Sequence, residues 1–278
     1  LLYNQFTLIV NPNFAESNLM IGDILLLKHN YDLAISYYHR VLPDSPYYVL
    51  AQYSLAGAYI QQKEYNQARR ILDNLIDEQP NIADFYHMLG DVYYYQEEYN
   101  DAIRQYSKAN ELLVANKYPL NWRVYFKRAT AYHKEDEWQK AEKDLLTALE
   151  IDPNQAEVLN YLGYMWADKK VNLVKARQML EKAVSLDPEN GYIVDSLGWV
   201  LYKQCQYAEA VKMLEMAVVL SPNDNDINNH LGDAYYQVGR KREAIFQWNK
   251  VLADAKDEDK DIISQKLTSG ILLNDCKK

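Results

Sequence analysis

The residues able to do acid–base or metal chemistry are few and widely spaced. None of the five histidines lies in an HExxH motif or another tight metal-ligand spacing: His29, His39, His87, His133 and His230. The sequence contains no GxGxxG, P-loop or GxSxG motif. Acids cluster in short runs such as Glu97-Glu98, the pattern of a solvated surface. We therefore predict no catalytic residue, no metal site and no cofactor, and expect that this chain is not an enzyme.

The two cysteines, Cys205 and Cys276, are too far apart in sequence for a metal or redox motif. A disulfide between them is not favoured by the sequence. Cysteine usage therefore leaves the cellular compartment open.

The composition favours a helical, folded protein that does not bind nucleic acid. Of the 278 residues, 49% are hydrophobic and 25% charged, which excludes a wholly disordered chain. Only 9 glycines and 8 prolines occur, too few for a protein of many short strands joined by turns. The net charge of −9 repels phosphate backbones. No apolar run approaches the roughly 18 residues of a membrane helix.

The elements that position the remaining residues repeat along the chain. A small residue follows an apolar one at intervals of 34, 34, 39, 34, 35 and 34, at Gly22, Ala56, Gly90, Ala129, Gly163, Gly198 and Gly232. A second small residue keeps nearly the same spacing, at Ala34, Ala68, Ala102, Ala141, Ala176, Ala210 and Ala244. Prolines close most units, at Pro46, Pro80, Pro153, Pro188 and Pro222. Fixed periods of this length indicate stacked supersecondary units.

Each unit is expected to form two amphipathic helices. In the third unit, apolar residues recur at spacings of three and four on a first helix, at Tyr86, Leu89, Gly90 and Tyr93. A polar link leads to a second helix that carries Ala102 and Tyr106. The small residue of each first helix is predicted to lie where the two helices cross, because a larger side chain would hold their backbones apart.

This spacing resembles the tetratricopeptide repeat, W-x₂-L-G-x₂-Y…A-x₃-F…P over 34 residues. Two of the best matches are Tyr86/Leu89/Gly90/Tyr93/Ala102/Tyr106 and Asn228/Leu231/Gly232/Tyr235/Ala244/Trp248. The resemblance covers nearly the whole chain. It implies an all-α fold, a right-handed α-solenoid (superhelix) of tandem helix-turn-helix repeats, and a scaffold or adaptor that binds proteins.

The repeat register gives the expected domain organisation. Residues 1–14 would form the second helix of a truncated preceding repeat, and 258–278 a C-terminal capping helix and tail. Ile262, Ile263, Leu267 and Ile271 are expected to be the apolar stripe of that cap. Seven repeats would occupy 15–257, at about 15–48, 49–82, 83–121, 122–155, 156–190, 191–224 and 225–257. The third repeat lacks its closing proline and is five residues longer than the standard period, so its second helix or the following loop should be extended.

The resemblance implies that the first helix of each repeat lines a concave binding groove, with the side chains at its second, fifth, ninth, twelfth and thirteenth positions. Transferred repeat by repeat, these positions give the candidate groove residues: Tyr53, Asp84, His87, Asp91, Tyr94, Tyr95, Phe126, Asn160, Tyr164, Tyr192, Asp195, Trp199, Tyr202, Asn229, Asp233 and Tyr236. The same transfer places Leu50, Arg123, Glu157, Asp168 and Asp226 on this surface.

The candidate groove is aromatic and acidic. Aromatic side chains give large contact area at low entropic cost, although about half of them are expected to pack between helices instead. Carboxylates outnumber bases, which favours a partner segment with basic and apolar residues. The lysine-asparagine pair by which related chaperone co-factors grip a C-terminal carboxylate is absent, so that mode of binding is not expected.

The last three repeats, around Asp195-Ser196-Leu197-Gly198-Trp199, are similar to proteobacterial repeat proteins. That group includes outer-membrane lipoprotein adaptors of a carboxyl-terminal processing protease. The similarity implies a bacterial periplasmic or outer-membrane-associated location, with the cytoplasm as the alternative, and a protease or assembly component as partner.

We therefore predict a non-catalytic scaffold that binds a protein or peptide, does not bind nucleic acid and does not itself span a membrane. Two alternatives stay open: a self-associating or spacer module, and the substrate-recruiting arm of a larger enzyme. The sequence leaves the oligomeric state undetermined.

Overall fold

A computed structural model of the chain describes residue 11 and residues 14–254 and 257–271. Nearly all of the expected N-terminal helix, Leu1–Val10, and the C-terminal residues 272–278 lie outside the described residues. The described residues form fifteen α-helices that pack in sequential pairs, which confirms the predicted all-α fold of tandem helix pairs. They fall into two compact units, which meet between Ile151 and Asp152 in the sequence.

Unit 1 contains four helix pairs. They are α1 (Ala15–Leu27) with α2 (Tyr31–Tyr38), α3 (Tyr48–Gln61) with α4 (Tyr65–Glu78), α5 (Ala83–Tyr95) with α6 (Tyr99–Ala115), and α7 (Trp122–Lys134) with α8 (Trp138–Ile151). α6 has 17 residues, whereas α4 and α8 have 14. The extra turn of helix accounts for part of the longer third interval in the sequence.

Unit 2 contains three helix pairs and a final helix. They are α9 (Ala156–Asp168) with α10 (Leu173–Leu186), α11 (Gly191–Lys203) with α12 (Tyr207–Leu220), α13 (Asn225–Gln237) with α14 (Lys241–Asp254), and α15 (Asp257–Ser269) packed on α14. Ile263 of α15 is buried, but Ile262 is 56% exposed. The expected apolar stripe of the cap was therefore wrong at Ile262, because adjacent residues of a helix point about 100° apart and Ile263 takes the buried side.

The turn inside each pair is closed in the same way seven times. One residue of each turn has a left-handed backbone, namely His29, Lys63, Glu97, Asp136, Lys170, Cys205 and Gly239. In each turn the next amide donates to the carbonyl five residues earlier, as from Glu64 to Tyr59 at 2.9 Å. This is the Schellman closure of a helix end. Glycine occupies the left-handed position only in the seventh of these turns. The left-handed residues are therefore recognised by their position in the repeat and not by their residue type.

The longer turn of the fifth repeat has two left-handed residues, Lys170 and Asn172, which accommodate its extra residue. In the sixth turn the left-handed residue is Cys205. The other cysteine of the chain, Cys276, lies outside the described residues, and so does the expectation about a disulfide between the two.

Each glycine at a helix crossing lies against one large side chain of the second helix. A methyl group added at Gly90 would lie 2.5 Å from the ring of Tyr106, and one added at Gly22 would clash with the ring of Tyr38. At Gly163 and Gly198 the facing side chain is a leucine. The predicted reason for small residues holds, but the group that needs the space is a buried side chain as well as the backbone.

Three pairs combine this close approach with a hydrogen bond. The hydroxyl of Tyr38 donates to Asp23 at 2.8 Å, that of Tyr106 to Asp91 at 2.7 Å, and the indole Nε1 of Trp248 to Asp233 at 3.0 Å. In each case the aspartate follows the glycine and the aromatic residue comes fifteen positions later. A buried phenol or indole needs a hydrogen-bond acceptor, and the aspartate supplies it in each of these pairs. We call this arrangement the Gly-Asp-aromatic contact.

Gly239 and Gly57 should respond to alanine in opposite directions. Gly239→Ala should lower the free energy of unfolding by about 1 kcal/mol, because φ there is +82° and an L-residue is strained. Gly57→Ala should raise it by roughly 0.5–1 kcal/mol, because Gly57 lies inside α3 and the new methyl meets only Met88 at 3.8 Å. Urea denaturation followed by circular dichroism measures both. Equal changes of the same sign would contradict this account of the turn.

The Asp91–Tyr106 hydrogen bond should contribute to stability through the buried hydroxyl. Asp91→Ala should cost about 1–3 kcal/mol, because it leaves the phenol of the fully buried Tyr106 without an acceptor. Asp91→Asn should cost less, because the amide oxygen still accepts. Adding Tyr106→Phe to Asp91→Ala should recover part of the loss. No loss in the alanine variant, measured by urea denaturation, would refute the role given to Asp91.

Candidate protein-binding surface

Within each unit, the first helices of successive pairs contact one another. α3 packs beside α5 and α5 beside α7 in unit 1, and α9 packs beside α11 and α11 beside α13 in unit 2. The side of these first helices that carries the candidate residues is called the inner face below. The small residue of each first helix faces the second helix of the same pair. The inner face is formed by candidate residues at other positions of the first helices.

In unit 1, Tyr53 and Asp84 border a cleft between α3 and α5. Its volume is about 330 Å³, and it is lined by Pro46, Val49, Leu50, Tyr53, Gln79, Ile82, Asp84 and Phe85. The rings of Tyr53 and Phe85 lie 5.8 Å apart. Burial, assisted by the charges of Asp84 and Asp91, raises the pKa of Tyr53 to about 12. The cleft is therefore apolar at its base and electronegative beside Asp84.

Tyr94 and Tyr95 lie at the end of α5 and differ in exposure. Tyr95 is 46% exposed, and its ring stacks on Tyr65 with centroids 5.9 Å apart. Tyr94 is half-buried and contacts Tyr99 edge to face at 5.4 Å. Tyr95 thus offers a fixed aromatic surface, whereas Tyr94 mainly packs between the helices of its own pair.

His87 of α5 is half-buried next to Tyr106, with ring centroids 5.9 Å apart. Its Nε2 is shielded from solvent, and no described residue hydrogen-bonds to it. Burial lowers the pKa of His87, opposed by the charge of Asp91. The neutral ring therefore keeps an unused donor or acceptor beside the inner face, and such atoms are uncommon in proteins unless a ligand or water uses them.

Two candidates of unit 1 need correction. Phe126 is 5% exposed and belongs to the interior of the helix layer, because α7 turns this position toward its neighbours. Asp91 accepts the hydrogen bond from Tyr106, and the ammonium of Lys127 lies 3.7 Å from it. The charge of Asp91 is thus used within the fold and is not a free site for a basic partner.

In unit 2, Tyr192 is the most exposed candidate, at 59%. The charge of Asp224 and a hydrogen bond to its carboxylate raise the pKa of the Tyr192 hydroxyl. Tyr164 of α9 is half-buried. Burial raises its pKa to about 12, and the charge of Asp168 adds to the shift. Asn160, one turn earlier on α9, has a shielded Oδ1 without a partner among the described residues.

The next candidates form a packed seam between α11 and α13. Nδ1 of His230 donates to both carboxylate oxygens of Asp195, at 3.0 and 2.9 Å, because an ionised carboxylate can only accept. The ring of Trp199 stacks on His230 at 4.0 Å and on Tyr202 at 4.9 Å. Asp195 and Tyr202 are buried, so assigning these two to an open groove was wrong. They join the sixth pair to the seventh.

The last three candidates contact α15. The ammonium of Lys266 donates to Asn229 at 2.7 Å and to both oxygens of Asp233, at 2.7 and 2.8 Å. Asp233 is buried and also accepts from Trp248. The hydroxyl of Tyr236 lies against Gly270, directly after α15, where an added methyl group would clash with it. Asn229, Asp233 and Tyr236 thus hold the final helix in place rather than lining an open groove.

Sequence reasoning also missed residues. Val49 and Ile82 line the unit 1 cleft, but both lie outside the five positions that the resemblance supplies. Lys266 was missed because the seventh repeat was treated as the end of the groove. The roles of Asp91 and Asp233 had a signal in the sequence, which is an aromatic residue fifteen positions after a Gly-Asp pair.

Across residues 14–254 and 257–271 no group of His, Cys, Asp and Glu side chains is arranged to hold a metal ion. Among these residues no helix is both long and apolar enough to cross a membrane.

Models of a single family match the chain in three places. Two models described as "Tetratricopeptide repeat" match residues 25–91 and 87–156, and a third, described as "TPR repeat", matches 198–239. Together these segments cover more than half of the chain, and they fall on the helices described above. The chain is a tetratricopeptide repeat protein, and such proteins are typically non-catalytic interaction modules.

Individual proteins support the same assignment. "TPR repeat-containing protein PA4667" of Pseudomonas aeruginosa is 28% identical over 179 residues, or 64% of this chain. This chain spans only 29% of the length of that relative.

Solved structures agree in fold. The Cut9–Hcn1 APC/C hetero-tetramer matches 97% of the chain and 51% of the compared chain, with a TM-score of 0.70 at 15% identity. YrrB, described as a TPR protein with an unusual peptide-binding site, matches 70% of the chain and 98% of its own, with a TM-score of 0.53 at 18% identity.

The buried neutral state of His87 should make unit 1 sensitive to acid. Its pKa is lowered in the folded chain, so the unfolded chain binds a proton first as the pH falls. Stability should therefore decrease as the pH falls through the ordinary histidine range. His87→Leu should reduce this decrease, measured as urea midpoints between pH 7.5 and pH 5.5. The same pH dependence in both proteins would contradict the burial of a neutral ring.

Proposed function

We propose that this chain is a non-catalytic scaffold or adaptor that binds a protein or peptide segment on the inner face of its first helices. The observation that carries the proposal is the unused binding capacity there. Tyr95 and Tyr192 expose aromatic surface, while His87 Nε2 and Asn160 Oδ1 are shielded polar atoms without described partners. A bound segment would supply both contact area and hydrogen bonds.

The inner face that we propose for binding is smaller than the sixteen candidates suggested. In unit 1 it comprises Tyr53, Asp84, His87 and Tyr95, with the half-buried Tyr94 packed beside Tyr95. In unit 2 it comprises Asn160, Tyr164, Tyr192 and the half-buried Trp199. The remaining candidates, namely Asp91, Phe126, Asp195, Tyr202, Asn229, Asp233 and Tyr236, support these surfaces from within the fold.

The proposed partner chemistry is mixed. Exposed acids that border these surfaces, such as Asp84 and Asp226, favour lysine or arginine, and the aromatic surfaces favour apolar side chains. The similarity of the last three repeats to protease adaptors makes a protease or an assembly component the first class of partner to test. Peptide binding by a structurally similar protein, YrrB, is compatible with this proposal.

Photo-crosslinking from single positions tests which face binds. p-Benzoylphenylalanine at Tyr95 or Tyr192 should capture a partner protein in cells that contain it, because both side chains are exposed on first helices. The controls are Leu146 of α8 and Val219 of α12, which are exposed on second helices and should yield no such adduct. Mass spectrometry identifies the captured protein.

Two outcomes of that experiment would contradict the proposal. Partner adducts from Leu146 or Val219 alone would place binding on the second helices. Adducts that contain only a second copy of this chain would favour the self-associating alternative. The third possibility, a recruiting arm of a larger enzyme, predicts an adduct with that enzyme's substrate.

A further inference from the structure

The cleft between α3 and α5 in unit 1 has the size and lining of a side-chain pocket. Its volume of about 330 Å³ lies within the roughly 300–1,000 Å³ of ligand pockets. Leu50 and Ile82 on its rim are 51% and 38% exposed, while Phe85 at its base is buried against Val49 and Tyr53. Exposed aliphatic side chains around a buried aromatic base form a surface that gains free energy when apolar area covers it.

One side of the cleft carries an unpaired charge. Asp84 is exposed at the start of α5 and, among the described residues, no cation pairs with it. Asp91, about two helical turns further along α5, differs because Lys127 and Tyr106 already contact it. Asp84 lines the same cleft as Tyr53; burial raises the pKa of Tyr53 to about 12, and the charge of Asp84 adds to the shift. An occupant with a cation beside its apolar group would complement both features.

We infer that this cleft binds one bulky apolar side chain of an extended partner segment, and that an adjacent lysine or arginine of that segment pairs with Asp84. This inference rests on the proposed function and names the partner chemistry for one part of the inner face. The exposed ring of Tyr95, at the other end of α5, is a separate contact on the same helix. The two contacts can therefore be tested independently.

The first step of the test is selection of phage-displayed random dodecapeptides on the immobilised full chain. Enriched peptides should carry a leucine, isoleucine, methionine or phenylalanine next to lysine or arginine. The most enriched sequence is then synthesised with a fluorescent label, and its affinity is measured by fluorescence polarisation. Circular dichroism checks that each protein variant is folded.

Substitutions at the rim of the cleft should weaken peptide binding, and a matching change of charge in the peptide should restore it. Leu50→Glu and Asp84→Lys should each reduce affinity for the basic peptide at least about tenfold. Replacing the peptide's base by glutamate should restore binding to Asp84→Lys but not to wild type. Leu146→Glu and Glu150→Lys on α8 make the same changes of charge outside the cleft and should leave affinity unchanged.

Each other outcome has a distinct meaning. Enriched peptides that lose affinity with Tyr95→Ala but not with Leu50→Glu or Asp84→Lys would overturn this inference and leave the proposed function standing. No enrichment of any peptide would count against both. A wild-type dimer in sedimentation velocity that Leu50→Glu dissociates would make a second copy of the chain the occupant, and would also overturn the inference.

Discussion

The close approach of the two helices within each pair is the constraint on which the rest of the structure depends. The first helix carries glycine or alanine at the crossing, and at the glycines the space is filled by one large side chain from the second helix. Where that side chain is leucine, apolar packing is sufficient. Where it is tyrosine or tryptophan, its polar atom also enters the interior and needs an acceptor. An aspartate directly after the glycine meets that need in three pairs.

This internal requirement changes how the surface should be interpreted. Asp91 and Asp233 lie at positions that the resemblance assigned to the groove, and each accepts a hydrogen bond from an aromatic residue of its own repeat. Asp195 is used by His230 of the next pair. The acidity of the candidate groove is therefore partly structural, and the charge available to a partner is concentrated at exposed residues such as Asp84. The proposed binding surface therefore offers fewer free charged groups than the composition suggests.

The sequence predicted the fold well because its information is periodic. Seven small residues in register define seven helix pairs, and the same register locates the left-handed turn residues even where they are lysine, glutamate or aspartate. The site was harder to predict, because exposure depends on contacts between pairs. Phe126, Tyr202, Tyr95 and Tyr192 are all aromatic residues at candidate groove positions. Tyr95 and Tyr192 are exposed, whereas Phe126 and Tyr202 are buried. Nothing in the local sequence of Asn229 indicates that Lys266, 37 residues later, will bind it.

Hydrogen–deuterium exchange on the full chain, with and without a saturating peptide from the selection, tests the central claim most directly. If the inner face binds partners, the new protection should fall on first helices, beginning with α3 and α5, while the amides of α4 and α8 exchange as before. Protection confined to the second helices would contradict the account, since the partner would then occupy a surface that leaves Tyr53, Asp84 and Tyr95 uncovered.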